Sequence, residues 1–196
     1  MHDAGKLDMP LEVLGNSSGH VLSPEDLEIV HQHPFDTLHR LQEIPYKGAL
    51  KPVPEDASMH HEWANGQGYP RHLTIDQIPQ AARAIPPADV FDAVTAGRAY
   101  MHQRMPLGEV KTMMDSGKGT HFDSSALDSF WNIPADKAIS VLESGPHRQP
   151  LSSSTLSMFK GHPLGRLLDV TNGATATTQE KNLAQMLTDI YARPAI

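Results

Sequence analysis

Cysteine is absent from the 196-residue chain. Disulfides and thiolate metal sites are therefore excluded, and any bound metal must sit on nitrogen and oxygen ligands. No apolar run approaches the roughly 20 residues that a bilayer crossing needs, and no apolar segment of the signal-peptide kind follows Met1. Cationic charge is in short supply: 16 Lys and Arg stand against 23 Asp and Glu, a formal net charge of −7. That balance argues against general nucleic-acid binding, but a few placed cations or metal ions can still hold a small anion. Runs of alternating β-branched residues, the mark of strands, are missing, so an all-α fold is expected. These absences suit a cytoplasmic protein. What is plentiful is histidine, with twelve residues spread unevenly.

The pattern is helical almost throughout. SPEDLEIVHQHP (23–34) opens with Ser23 as N-cap, Pro24 at the first helical position and acids in the first turn. Pro34 is expected to close or kink it at His33. FDTLHRLQEI (35–44) is a second amphipathic segment. EDASMHHEWA (55–64) reads as a helix ended by NGQGYP. IPQAARAI (78–85) and ADVFDAVTAGRAY (88–100) are helical, interrupted by Pro86-Pro87. Shorter helices are expected over 107–117, 124–132 and 134–144. GPHRQPLSSST (145–155) reads as a linker. Beyond it, 178–193 carries an apolar face of Leu183, Met186, Leu187 and Ile190, either docked on the domain or awaiting a partner.

The nitrogen and oxygen ligands near helix ends are His2-Asp3, His33, His60-His61 and Asp89. Each alone is weak, since a single histidine at a helix end is more often a cap or a surface residue. Together they point elsewhere. Adjacent histidines on a helix diverge by about 100° and cannot comfortably chelate one ion, but they can straddle two ions about 3.5–4 Å apart. A carboxylate such as Asp3 can bridge two such ions. Paired metals of this kind activate water and hold phosphate oxygens.

The motifs HDAGK (2–6), QHP (32–34), HHE (60–62), GYP (68–70) and ADVFDAVTAGRAY (88–100) stand in the order and approximate spacing of the HD-GYP domain. GTHFDSSALDSFWN (119–132) is similar to that family's closing helix. The chain therefore resembles the all-helical HD superfamily, in its cyclic di-GMP phosphodiesterase branch, over residues 2 to about 132. The resemblance implies that His2, Asp3, His33, His60, His61 and Asp89 are metal ligands. The metal would be a divalent transition ion such as Fe or Mn, in a di- or trinuclear centre or with fewer ions here. It gives Asp3 and Lys6 catalytic parts, with Lys6 facing the scissile phosphate and neutralising charge that develops there. It assigns substrate contact to Lys6, to Gly68, Tyr69 and Pro70 of the loop beside the site, and to Arg98, which can grip a phosphate bidentately.

The departures are specific. Trp63, Ala64 and Asn65 stand where the family has Arg, Trp and Asp, so a salt bridge or loop anchor is expected to be missing. Met101 replaces a second arginine, with Arg104 one turn on. Pro86-Pro87 requires either that a helix restarts with proline in its first turn or that Asp89 is displaced. In the family, one or two ligand-bearing helices precede HD, whereas here HD follows Met1 directly, so an N-terminally shortened domain is expected. The sequence reading is thus an HD-domain-like helical bundle over 1–144, lacking the usual first helices. A linker follows over 145–155, then a loosely attached C-terminal extension over 156–196, helical at 178–193. The function implied by the resemblance is hydrolysis of cyclic di-GMP to pGpG or GMP in bacterial second-messenger signalling. The rival is a degenerate module that binds a nucleotide, or a partner protein through the GYP loop or C-terminal helix, without efficient turnover. Another HD-type nucleotide phosphohydrolase is a third reading, against which GYP argues.

Overall fold

The computed structural model describes residues 1–14, 22–95, 105–142 and 151–192. Among them every regular element is helical, as expected. No helix among the described residues is long and apolar enough to cross a membrane. The chain opens with a 3-10 turn, Ala4–Asp8, and a short helix α1, Leu11–Leu14. Helix α2, Pro24–Gln42, starts on a reciprocal cap: the Ser23 hydroxyl accepts from the Asp26 N–H while the Asp26 carboxylate accepts from the Ser23 N–H. Such a box satisfies two donors that a helix start leaves open.

Pro34 does not end this helix. The element continues two further turns to Gln42, with Pro34 buried inside it. The two expected segments, 23–34 and 35–44, are one helix. Proline removes only its own N–H and crowds the carbonyl four residues back, and buried contacts on either side hold the helix together. A second departure concerns 55–64. Helix α3 is Val53–Ala57 only, so His60 and His61 lie in the turn that follows it rather than on a helix. There the Ala57 carbonyl takes the Nδ1 of His60, a side-chain bond that replaces helical continuation.

Helix α4, Gln80–Arg83, and helix α5, Ile85–Thr95, follow. The diproline sits in the first turn of α5, where a missing N–H costs nothing extra. Asp89 comes one turn later. Residues 96–104 lie outside the described residues, so Arg98, Met101 and Arg104 have no structural account. Helices α6, Leu107–Ser116, α7, Ser124–Trp131, and α8, Ala135–Leu142, complete the middle of the chain.

The C-terminal part corrects the expectation of a loose extension. Residues 143–150 lie outside the described residues, but Ser152 caps helix α9, Ser153–Ser157, which begins inside what the sequence reads as linker. Helices α10, Leu164–Thr171, and α11, Thr178–Ala192, then close the fold. Leu164, Leu167 and Leu168 of α10 and Leu183, Leu187 and Ile190 of α11 bury into one core with Phe91, Val110, Met114, Leu127 and Trp131. The i, i+3, i+4 spacing of leucines on α10 makes a single apolar stripe, and α6 and α7 supply the surface that covers it. Leu167→Ala removes a fully buried side chain and is expected to cost about 3 kcal/mol. For a chain of this length that lowers Tm by about 6–12 °C, read by calorimetry. A loosely attached tail would leave Tm unchanged.

Candidate metal centre

Four segments meet at the site: the HDAGK turn, the middle of α2, the turn after α3, and the start of α5. Buried Thr37 on α2 binds the first of these to the second. Its hydroxyl accepts from the Gly5 N–H at 2.9 Å and donates to the His2 carbonyl at 3.0 Å. The approach is so close that a Cβ on Gly5 would meet the His33 carbonyl oxygen at 2.1 Å and the Thr37 nitrogen at 2.5 Å. Glycine is needed here for contact rather than for an unusual backbone angle. His2, Asp3 and Lys6 are thereby delivered to the face of α2 that carries His33.

The donor atoms fall into two groups that share one residue. Asp3, His33, His60 and His61 form the first, and His2, Asp3 and Asp89 the second, each with its ligand atoms within 4.8 Å of one another. Asp3 Oδ1 lies 3.4 Å from His33 Nε2 and 3.5 Å from His60 Nε2. Those two nitrogens are 3.0 Å apart. In the second group His2 Nε2 is 3.6 Å from Asp3 Oδ2 and 3.3 Å from Asp89 Oδ1. Ligands at about 2.0–2.2 Å from one ion stand about 3.0–3.5 Å from each other in octahedral or tetrahedral coordination. The spacing of Asp3, His33 and His60 fits that requirement.

The hydrogen bonding fits it too. His33 Nδ1 faces the Val30 carbonyl at 2.5 Å and His60 Nδ1 the Ala57 carbonyl at 2.7 Å. Each Nδ1 must carry a hydrogen to bond a carbonyl, which leaves each neutral ring with a bare lone pair on Nε2. Two lone pairs and the buried Asp3 Oδ1, which has no hydrogen-bond donor, therefore converge. Such a cluster holds together only around positive charge, supplied by protons on the imidazoles or by a metal ion. With protons, burial pushes the Asp3 carboxyl up, but His33, His60 and Lys6 outweigh it and hold it well below the usual carboxylate range. His61 is pushed down to about 3 by burial and then by its neighbours His60 and His33, so its ring is neutral and free to ligate. His2 is raised chiefly by its bond to Asp89, and Asp89 is lowered because His2 outweighs the effect of burial.

The remaining candidates surround this cluster. Lys6 Nζ donates to Asp3 Oδ2 at 2.7 Å and is part-exposed at the rim. Tyr69 lies between two imidazoles, stacked on His61 with centroids 4.6 Å apart and on His31 at 4.1 Å. Its N–H donates to the His61 carbonyl, and burial raises its hydroxyl pKa. Gly68 is packed so tightly that a Cβ would meet the Trp63 nitrogen at 2.3 Å and the His61 carbonyl oxygen at 2.4 Å. Pro70 follows across a cis peptide. Asp89 pairs with His2 rather than joining the group of His61, though the restart of α5 keeps it at the site.

Several supporting residues escaped the sequence reading. Buried Glu62 accepts from the Arg71 N–H at 2.7 Å and the Leu73 N–H at 2.8 Å, so the acid of HHE anchors the segment after GYP. The loop anchor expected to be missing is replaced. Trp63 stacks on His121 at 4.4 Å, while the Ala64 and Asn65 N–H groups donate to the His121 and Thr120 carbonyls. An acid beside two histidines was a signal for Glu62. Nothing in the local sequence pointed to Thr37 or His121.

An all-helical scaffold that converges imidazoles and carboxylates from two turns and two helices defines a helical domain with a His/Asp cluster fit to hold divalent metal. The sequence profile of the HD domain matches residues 1–126, and the chain belongs to this HD domain family. A probable cyclic di-GMP phosphodiesterase of Vibrio cholerae is 33% identical over 135 residues, covering 66% of this chain and 30% of the relative. A cyclic di-GMP phosphodiesterase of Thermotoga maritima is 34% identical over 137 residues, covering 68% of this chain and 35% of the relative. A 3'3'-cGAMP-specific phosphodiesterase of Vibrio cholerae is 38% identical over 114 residues, 58% of this chain and 25% of the relative. The chain thus spans about a third or less of the length of these curated relatives.

Proposed function

We propose that the chain is a metal-dependent phosphodiesterase of the HD-GYP type that hydrolyses cyclic di-GMP to linear pGpG or GMP. The observation that carries this reading is Asp3, whose Oδ1 faces His33 and His60 while its Oδ2 faces His2 and Lys6. A carboxylate placed this way serves two donor groups at once. His33, His60 and His61 would complete the first, and His2 and Asp89 the second. Two divalent ions, iron or manganese, would supply Lewis-acid stabilisation of phosphate charge and a nucleophilic water near neutral pH. The chain's own residues do the rest. Lys6 stands beside Asp3 at the rim, where its ammonium can offset negative charge on a leaving or non-bridging oxygen. Tyr69 holds the ring of His61 by stacking, and Gly68 and Pro70 shape the mouth. Arg98 is assigned the grip on a phosphate by the family resemblance.

The test is to load the chain with Mn²⁺ or Fe²⁺, count bound ions by elemental analysis, and follow cyclic di-GMP by chromatography. Because one relative is named for 3'3'-cGAMP, that dinucleotide is assayed in parallel. Release of linear product, lost on His61→Ala, is the expected result. Binding without hydrolysis would instead identify a degenerate module, and the absence of both would overturn the reading.

A further inference from the structure

Pro34 is an unusual residue to find buried inside an unbroken helix next to a candidate ligand. In an α-helix the Val30 carbonyl is served by the N–H four residues on, and residue 34 has none. Proline also crowds that carbonyl and tilts it off the helix axis. The same carbonyl is the one that His33 Nδ1 faces at 2.5 Å. His60 has the matching arrangement by a different route. Its Nδ1 faces the carbonyl of Ala57, the last residue of α3, where a helix end leaves carbonyls open. His33 lies in mid-helix and has no such end.

We infer that Pro34 is a positioning residue for the metal centre. By withholding the N–H that would serve the Val30 carbonyl, it leaves that carbonyl to the Nδ1–H of His33 and so aims His33 Nε2 at Asp3 and His60. The proline makes, inside a helix, the free carbonyl that α3 provides at its end. A ligating histidine whose other nitrogen is held this way keeps one tautomer and one ring orientation, and both bear on affinity. The inference rests on the metal-centre reading.

The experiment compares three proteins with the wild type in Zn²⁺ titration by calorimetry. Pro34→Ala returns an N–H to position 34 and favours the helix. It is expected to keep the fold by circular dichroism while weakening the His33-containing group about tenfold, the lower end for loss of support to a ligand. Long-range ¹⁵N–¹H spectra of the metal-free protein at about pH 8, above the ordinary histidine range, provide a second readout. The wild type should show His33 protonated on Nδ1 alone, and Pro34→Ala both tautomers. An α-hydroxy acid at position 34, whose ester linkage also lacks the N–H, should keep wild-type affinity. It carries the test by itself if Pro34→Ala fails to fold. Wild-type affinity and a single tautomer in Pro34→Ala would overturn the inference. So would loss of affinity in the ester variant, since the ring rather than the missing donor would then matter. His33→Ala separates the two levels. Unchanged affinity there sinks the metal-centre reading, whereas loss there without loss in Pro34→Ala sinks only the role of Pro34.

Discussion

Asp3→Ala is expected to strip metal from both donor groups with one substitution. Elemental analysis should fall from two ions per chain to less than one, and cyclic di-GMP hydrolysis should drop by about 10²–10³-fold, the scale set by losing one preorganised electrostatic group. The argument is geometric. Removing His61 takes a ligand from one group and removing Asp89 takes one from the other, but only Asp3 belongs to both. It also holds Lys6 through the 2.7 Å bond to Oδ2, so its loss frees the rim cation as well. Asp3→Asn is the sharper comparison. It keeps the shape but loses the charge, and its amide nitrogen cannot ligate, so it should retain the fold yet bind at most one ion. If Asp3→Ala binds two ions like the wild type, the shared-carboxylate arrangement is wrong.

Gly5→Ala should destabilise the protein and empty its metal site together. The added Cβ would meet backbone atoms, the His33 carbonyl oxygen at 2.1 Å and the Thr37 nitrogen at 2.5 Å, and backbone within a helix cannot swing aside as a side-chain tip can. The HDAGK turn must lift off α2, breaking both hydrogen bonds to Thr37. Overpacking of this kind costs about 3 kcal/mol, which lowers Tm by about 6–12 °C. Lifting the turn also withdraws His2 and Asp3, so metal content should fall along with stability. A stability loss with full metal loading would show that the turn is held by something other than its contact with α2.

The residues that cluster at the candidate site were legible because the metal chemistry proposed for them needs particular residue types in a particular order, and HD, HH and the late Asp survive in the bare sequence. The helices were legible where start signals are local, as at Ser23-Pro24. What failed were inferences about how far a local rule reaches. Pro34 reads as a stop because proline removes a donor, yet its carbonyl partner had a side-chain donor waiting at His33. The helix expected through 55–64 ends at Ala57 for a related reason, the His60 ring taking a carbonyl that continuation would have used. The Pro/Ser-rich stretch before α9 reads as a linker by composition. Whether the leucines of α10 and α11 find cover depends on α6 and α7, whose surfaces no local pattern describes. Thr37 and Glu62 are single buried polar residues that clamp backbone, and single positions of that kind carry no periodicity to detect.

Helix α5 ties the two halves of the molecule together. Near its start Asp89 reaches the second donor group, and two residues on Phe91 is buried in the core shared with α10 and α11. Phe91 also meets Phe130 and Trp131 edge to face. The first donor group has no ligand on α5, since Asp3, His33, His60 and His61 all come from the N-terminal segments. A loosening of the C-terminal layer therefore reaches the second group through one short lever, and the first only through Asp3, which both share, and the contacts of residues 63–65 with Thr120 and His121. In the proposed metal centre, distant changes in the last two helices would then bear first on the contribution of Asp89.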